Sequence, residues 1–555
     1  MKPELTDRRT GGDVLVDVMK RHGIGTAFGV ISIHNLPLVE AVDRDLEFVE
    51  MRHEAAAVNA ADAYARTTGR IGVALTSTGT GAGNAAGSMV EALTAGSRVL
   101  HITGQIESEF LAPDRPSPSR GVIHEFPKQP QLLGAVSKHS STICDTKDVV
   151  VEIERAIGHI TTAPYGPASI EWPSDLQYLA TPENQRPFDV LEPRTAKLDS
   201  AALDRAADLL NASVRPMFWL GGGAAGTGEL VRELAHRIGA GILTSNSGRG
   251  IVSENDPLVI GNFATTPQGR ALLADCDLLV AVGTHFRSNE TASYHLPLPT
   301  RMIQIDIEPS TIGRVYPAEV GIVGDARSVL TALSETVAES DGWAGAVTEV
   351  RDSVRAELND YIGGYSEICT AIRTQLPAES PIVRDVTIPS SQWGNRLLPI
   401  VERATNVFPL GGGIGQGLAM GIGAAHGRPE VPTLVMVGDG GLAVHLGELA
   451  SLAGSHAHAI VIVFNDGGYG VLRNMQEKNG FRRAGVDLHT PRFDLLAASM
   501  DIPHRLIQKA EAFADALAEA IARNGPSIIE VDVASIEPTP GPFVPPVHIP
   551  QDAGR

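Results

Sequence analysis

The sequence predicts an α/β protein made of three doubly wound parallel-sheet domains, and three observations predict it. At 555 residues the chain is well past the size at which a single hydrophobic core stops growing. Short apolar, β-rich runs alternate with helical patterns in three separate stretches, which is how parallel sheets covered on both faces by helices read. Polar or charged stretches separate those three units.

The first unit is expected over residues 1–180, where the runs TAFGV, LEFVEM, IGVALTST, RVLHITG and ASIEW are set between helical segments. Residues 181–197, TPENQRPFDVLEPRTAK, are polar, contain three prolines and read as a linker. A middle unit over 195–340 follows, with MFWLGGG, GILTS, LLVAVG and MIQIDIE as its strands, and the charged stretch 336–380 reads as a helical connector. The third unit, 375–540, holds TLVMVGDGG, AIVIVFNDGG and SIIEVDVA, fully apolar strands of the kind a buried parallel sheet uses. Six prolines in the last 21 residues exclude helix and inner strand, so 541–555 is expected to be a tail, loose or draped over the surface.

Composition narrows the function. Hydrophobic residues make up 43% and charged residues 20%, enough for large cores and against disorder. The formal net charge is −20 and no basic stripe interrupts it, which argues against nucleic acid as a partner. Cys144, Cys276 and Cys369 lie far apart without a CxxC spacing, so neither a disulfide framework nor a zinc site is suggested. The polar start MKPELTDRRTGG and the absence of a long apolar run lead us to expect a cytoplasmic protein with no membrane partner.

The most specific motif is Gly438-Asp439-Gly440-Gly441 at the end of one apolar strand, with Asn465-Asp466-Gly467-Gly468-Tyr469-Gly470 beginning 24 residues after Gly441 at the end of the next. Both leave the carboxyl edge of the sheet, where open α/β folds bind ligands. Glycines let backbone N–H groups approach a diphosphate, and Asp439 and Asp466 supply hard oxygen ligands for magnesium or calcium. Taken singly, each segment also reads as an ordinary strand-exit turn. Their pairing at this spacing points to a metal-bridged diphosphate.

With these residues the chain resembles the thiamin-diphosphate enzymes of the acetohydroxyacid (acetolactate) synthase, 2-oxo acid decarboxylase and benzaldehyde lyase group, over nearly its whole length. The resemblance implies thiamin diphosphate and Mg2+ as cofactors. It makes Asp439, Asp466 and the carbonyl of Gly468 the metal ligands, with Gly438, Gly440, Gly441, Asn465 and Tyr469 around the diphosphate. Asp466 stands where the family usually has Asn. Arg52-His53-Glu54-Ala55, opening RHEAAAVNAADAYARTTGRIGVALTSTGTGAGN, resembles the stretch around the family's catalytic glutamate. By itself Glu54 is an acid in a first helical turn, favourable for the helix dipole. By the match it is the carboxyl that hydrogen-bonds the cofactor's pyrimidine and so favours the tautomer able to deprotonate the reactive carbon. In Gly411-Gly412-Gly413-Ile414-Gly415-Gln416-Gly417, Ile414 aligns with the apolar wedge that bends the cofactor, and the Gly412 carbonyl with the acceptor of its amino group. Without GDGG the same run reads as a nucleotide turn or helix packing.

His34, in Phe28-Gly29-Val30-Ile31-Ser32-Ile33-His34-Asn35, is a second catalytic candidate, since lyase members carry a histidine in this loop that faces the substrate; a capping or surface histidine is the alternative. His124 and Glu125 fall near where acetohydroxyacid synthases place an aromatic residue and a glutamine, a departure that weakens the case for acetolactate synthesis. Val471, Leu472 and Met475 are candidates for the pocket wall, although their spacing also suits plain core. Gly221-Gly222-Gly223-Ala224-Ala225-Gly226 could hold a dinucleotide. The Gly283-Thr284-His285-Phe286 segment lacks the arginine of flavin-binding relatives, so FAD is not expected. The family places Glu54 and the diphosphate site in different subunits, which implies a homodimer or homotetramer. The expected substrates are 2-oxo acids such as pyruvate and an aldehyde or ketone acceptor. A carboligase or lyase is the preferred outcome, with simple decarboxylation and acyloin or diketone cleavage as alternatives. A non-catalytic cofactor sensor is the reading from another class, and it would not need Glu54 or Ile414.

Overall fold

A computed structural model describes residues 9–111, 121–179 and 198–545. Three six-stranded sheets follow one another along the chain, and every strand pair in them is parallel. The first comprises β1 (Thr26–Gly29), β2 (Glu47–Glu50), β3 (Gly72–Thr76), β4 (Val99–Gln105), β5 (His139–Thr142) and β6 (Ala168–Pro173) in the order β2-β1-β3-β4-β6-β5. The second comprises β7 (Pro216–Leu220), β8 (Gly241–Thr244), β9 (Val259–Gly261), β10 (Leu278–Val282), β11 (Met302–Asp306) and β12 (Val320–Val323) in the order β12-β11-β10-β7-β8-β9. The third comprises β13 (Ile382–Arg384), β14 (Asn406–Val407), β15 (Thr433–Gly438), β16 (Ala459–Asn465), β17 (His504–Ile507) and β18 (Ser527–Asp532) in the order β14-β13-β15-β16-β18-β17.

Every apolar run nominated from the sequence is a strand. The strands that sequence reading missed, β5, β9, β12, β13, β14 and β17, are all short or at a sheet edge. An edge strand is covered on fewer sides, so HSST in β5 and HRLI in β17 carry no long apolar signature. The 336–380 stretch is helical as expected, with helices Ala344–Tyr361 and Tyr365–Gln375. The linker at 181–197 lies outside the described residues. The tail is described as far as 545 and lies over the surface: Asn474 donates to the Phe543 carbonyl at 2.9 Å and Tyr361 to that of Gly541 at 3.3 Å.

In each sheet the strand order reverses near the middle, between β1 and β3, between β7 and β10, and between β13 and β15, and in the first and third sheets it turns back again at the edge, at β6-β5 and β18-β17. At such a point neighbouring loops leave in opposite directions and open a crevice at the carboxyl edge. The His34 loop, the Gly221 turn and the GDGG turn each leave the strand next to one of these reversals.

The first and third units meet through two helices of small residues. In helix Glu54–Thr68 the residues Ala55 to Ala65 are buried, and in helix Gly417–Gly427 those from Gly417 to Ala425. Their backbones approach so closely that a Cβ on Gly423 would sit 1.9 Å from the Ala60 carbonyl oxygen. Glycine inside a helix normally costs about 0.5–1 kcal/mol relative to alanine; here the crossing requires it. We therefore expect Gly423→Ala to destabilise the protein by about 1–3 kcal/mol, as overpacking does. The same change at Gly454, exposed with open space around its Cβ position, is expected to leave stability unchanged or raised. Urea unfolding of both variants checks this, and a stabilised Gly423→Ala would contradict the packing argument.

Candidate active site

Three adjacent strands of the third sheet are each followed, at or just past their carboxyl ends, by an acid: Asp385 after β13, Asp439 after β15 and Asp466 after β16. Asp439 opens helix Asp439–Val444 and is 1% exposed, and the Asp466 N–H donates to its Oδ1 at 3.2 Å. Asp439 Oδ2 and Asp466 Oδ1 are buried and accept nothing from the protein. Burial raises the Asp439 carboxyl, and burial together with Asp439 pushes Asp466 up to about 6. Two buried carboxylate oxygens side by side without donors are costly unless a cation joins them. They fit a divalent ion. No cluster of three or more His, Cys, Asp or Glu side chains suited to a metal occurs among the described residues, so a further protein ligand would be a neutral oxygen, of which the backbone carbonyl expected at Gly468 is one.

The turn that carries Gly468 tolerates little else. Gly468 has φ +148°, and a Cβ there would lie 2.1 Å from the Val486 carbonyl oxygen. At Gly470 it would lie 1.9 Å from Asp466 Oδ2, and at Gly440 2.8 Å from the Tyr469 ring. Gly438 and Gly441 complete the same edge, Gly441 close to Asp385. Asn465 is engaged within the protein, donating to Glu530 at 2.7 Å and accepting from the Gly467 N–H at 3.3 Å. It holds the turn's shape with those bonds.

Beside this edge runs the 411–417 loop. Gly412 has φ +80° and open space where a Cβ would be, and Ile414 is 37% exposed. Asp385 accepts from the N–H groups of Gly415 and Gly417, both at 3.0 Å, and of Val386 at 2.6 Å. Burial pushes this carboxyl up to about 6, and those donors act against the rise.

Glu54 is the first residue of its helix, whose N-cap His53 accepts from the Ala55 N–H at 3.1 Å. Its Oε2 accepts from Asn84 Nδ2 at 3.0 Å, and Gly81 leaves it room, since a Cβ there would come within 2.8 Å of Oε1. The preceding Arg52 N–H donates to the Glu448 carboxylate at 3.1 and 3.2 Å, and the His53 ring meets His445 edge-on at 5.1 Å. The catalytic candidate thus rests on the third unit.

His34 is 5% exposed, has an unpartnered Nδ1, and faces His124 edge to face at 4.9 Å. Burial and the neighbouring imidazole both pull its pKa down, so it is neutral at pH 7. The structure therefore brings together two histidines 90 residues apart in the chain. His124 is exposed with φ +66°, and Glu125 beside it is half-buried. Val471 and Met475 are half-buried and Leu472 is 49% exposed on helix Gly470–Lys478, so none of the three is core. The middle glycines serve packing: a Cβ on Gly221 would lie 2.1 Å from the Gly283 carbonyl oxygen, and Gly223 donates to that oxygen at 3.0 Å.

Sequence reading missed Asp385, Asn84, Glu448 and Glu91, which accepts from the Leu410 and Gly411 N–H groups. Asp385 directly follows the strand run PIVR as Asp439 follows its own, a signal present in the sequence. Glu91 lies in a helix with nothing local to distinguish it.

The family models for thiamine pyrophosphate enzymes match three stretches: the N-terminal TPP binding domain at 9–132, the central domain at 203–333 and the C-terminal TPP binding domain at 389–531. The probable 2-ketoarginine decarboxylase of Pseudomonas aeruginosa is 29% identical over 96% of this chain and 95% of its own. The probable acetolactate synthase large subunit of Methanocaldococcus jannaschii is 25% identical over 97% and 93%, and the large subunit of acetolactate synthase isozyme 2 of Escherichia coli is 25% identical over 97% of both. The chain belongs to the thiamine pyrophosphate enzymes.

Because the unpartnered Asp439 oxygen burdens the metal-free protein, Asp439→Asn is expected to stabilise that form by roughly 1 kcal/mol. The same variant should bind Mg2+ with thiamin diphosphate at least tenfold more weakly. Urea unfolding without metal and calorimetric titration with it measure the two effects; unaltered binding would remove Asp439 from the metal site.

Proposed function

We propose that this member of the thiamine pyrophosphate enzymes is Mg2+-dependent, cleaves the bond between the carbonyl and carboxylate carbons of a 2-oxo acid, and releases the remaining fragment as an aldehyde. The observation that carries this reading is the pair of unpartnered aspartate oxygens at the strand-order reversal of the third sheet, beside a glycine-lined turn. Thiamin diphosphate, when bound, supplies a nucleophilic carbon that adds to the substrate carbonyl and an electron sink that accepts the pair left when carbon dioxide departs.

The protein's part is to hold and orient. Asp439, Asp466 and the Gly468 carbonyl would hold Mg2+, and Gly438, Gly440 and Gly441 let the phosphates approach the backbone. Asn465 and Tyr469 shape that turn. The Gly412 carbonyl would accept from the aminopyrimidine and Ile414 support the bend beneath it. Glu54 would hold a proton at the pyrimidine ring nitrogen. We read Glu54 and the metal edge as meeting across two copies of the chain, with residues 1–180 contributing the pyrimidine side, 375–540 the diphosphate side and 195–340 lying between.

What supports protonation as the outcome is the His34–His124 pair. A buried neutral imidazole with a free Nδ1 suits passing a proton to or from a substrate oxygen or carbon. The departure at His124 and Glu125 from the synthase pattern points the same way, and the relative named as a 2-ketoarginine decarboxylase is consistent with it. A second reading, ligation of the fragment to a second carbonyl, is favoured by the acetolactate synthases that align over 97% of the chain. Val471, Leu472 and Met475 would line the pocket in either case.

The test is incubation with thiamin diphosphate and Mg2+ and either pyruvate or 2-oxo acids bearing amino or guanidino side chains, following carbon dioxide and products with and without added aldehyde. Aldehyde alone supports decarboxylation, acetolactate or a mixed acyloin establishes the second reading, and inertness to every 2-oxo acid overturns both. Glu54→Gln is expected to lower kcat by about 10²-fold or more while the variant folds normally and keeps the cofactor.

A further inference from the structure

Three consecutive glycines and two more at Gly415 and Gly417 give the 411–417 loop unusual backbone freedom, yet it carries one bulky exposed side chain, Ile414. Two carboxylates from different units restrain its two ends. At the start, Glu91 of helix Thr80–Ala95 accepts from the Leu410 N–H at 2.6 Å and from the Gly411 N–H at 2.7 Å, one bond to each oxygen. At the end, Asp385 accepts from Gly415 and Gly417 at 3.0 Å each. Only Gly412, Gly413, Ile414 and Gln416 lie between or beside these anchors.

The Glu91 anchor is itself fixed. Its side chain is 2% exposed and pairs with Arg66 at 2.9 Å, Arg66 pairs with the fully buried Asp62 at 2.5 Å, and Arg66 also donates to the Phe408 carbonyl at 2.7 Å. Arg287 of the middle unit donates to the Leu410 carbonyl at 2.9 Å and to that of Thr94 at 3.1 Å. All three units therefore converge on residue 410. The Asp385 anchor works at contact distance, because a Cβ on Gly417 would lie 2.7 Å from the Asp385 Cβ. The same helix that carries Glu91 begins with Gly81 and Asn84, which surround Glu54.

We propose that Glu91 and Asp385 are positioning residues that clamp the 411–417 loop from both ends and so set the height of Ile414 and the Gly412 carbonyl against the bound cofactor. The inference rests on the cofactor reading above. It assigns neither residue a contact with the reacting atoms. Each acts through the loop, so losing a clamp weakens recognition of the pyrimidine and thiazolium rings while leaving the metal and diphosphate edge intact.

Glu91→Gln and Asp385→Asn keep the side-chain shape but turn an amide N–H toward a backbone N–H, which releases one anchor in each. The affinities of thiamin diphosphate with Mg2+ and of inorganic pyrophosphate with Mg2+ are measured for both variants and the native protein by calorimetry. The expected result is a tenfold or greater loss for thiamin diphosphate with pyrophosphate affinity within twofold of native. Equal losses for the two ligands, or no loss for either, overturn the clamp alone. A native protein that binds pyrophosphate and not thiamin diphosphate overturns the cofactor reading and this inference with it. If Glu91→Gln does not fold, Arg287→Met, which removes only the middle unit's grip on Leu410, carries the same comparison.

Discussion

The contact on which this architecture depends is the backbone-to-backbone crossing of helices Glu54–Thr68 and Gly417–Gly427. A parallel sheet must bury both faces, and here one helix covering the first sheet packs directly on one covering the third. Alanines on one helix and glycines on the other let Gly423 meet the Ala60 carbonyl at a distance no side chain permits. Bulkier residues would still bury apolar area, but they would move the helices apart. The crossing matters beyond stability because each helix begins at the candidate site: Glu54 opens one, and the loop with Ile414 leads into the other. A small change in separation would shift both.

Around that crossing the protein distributes its buried charge unevenly. Glu91, Arg66 and Asp62 are fully paired, as are Arg249 and Glu254 at 2.7 Å where the middle and third units meet. Buried pairs of this kind roughly break even in energy when both partners are satisfied. Asp439 and Asp466 break the rule, each keeping an oxygen without a donor. Local frustration of this kind is typical of functional sites, and here it lies where two glycine turns and their acids meet at the carboxyl edge of the third sheet.

Much of this was legible beforehand. The inner strands declared themselves as apolar runs because they are covered on both faces, and the GDGG and NDGG turns because glycines and acids directly after an apolar strand form a local pattern at the carboxyl edge. The edge strands did not, since β5 and β17 answer to fewer neighbours. The middle glycines hold two loops in close contact, a role that glycine content alone cannot express. Val471, Leu472 and Met475 had the spacing of core yet stand partly exposed, because burial depends on what lies opposite a helix.

The sequence by itself determined the fold class and the family. Those follow from local pattern, meaning periodicity, glycine at positions of special backbone geometry, and acids at strand ends. Only the tertiary structure decided which distant residues act together. His34 meets His124, Arg52 rests on Glu448, and Glu91 reaches across a unit boundary to amides more than 300 residues away. No local pattern encodes these pairings, because a hydrogen bond or ring contact is specified by distance and direction in space, and those exist only once the three sheets have packed.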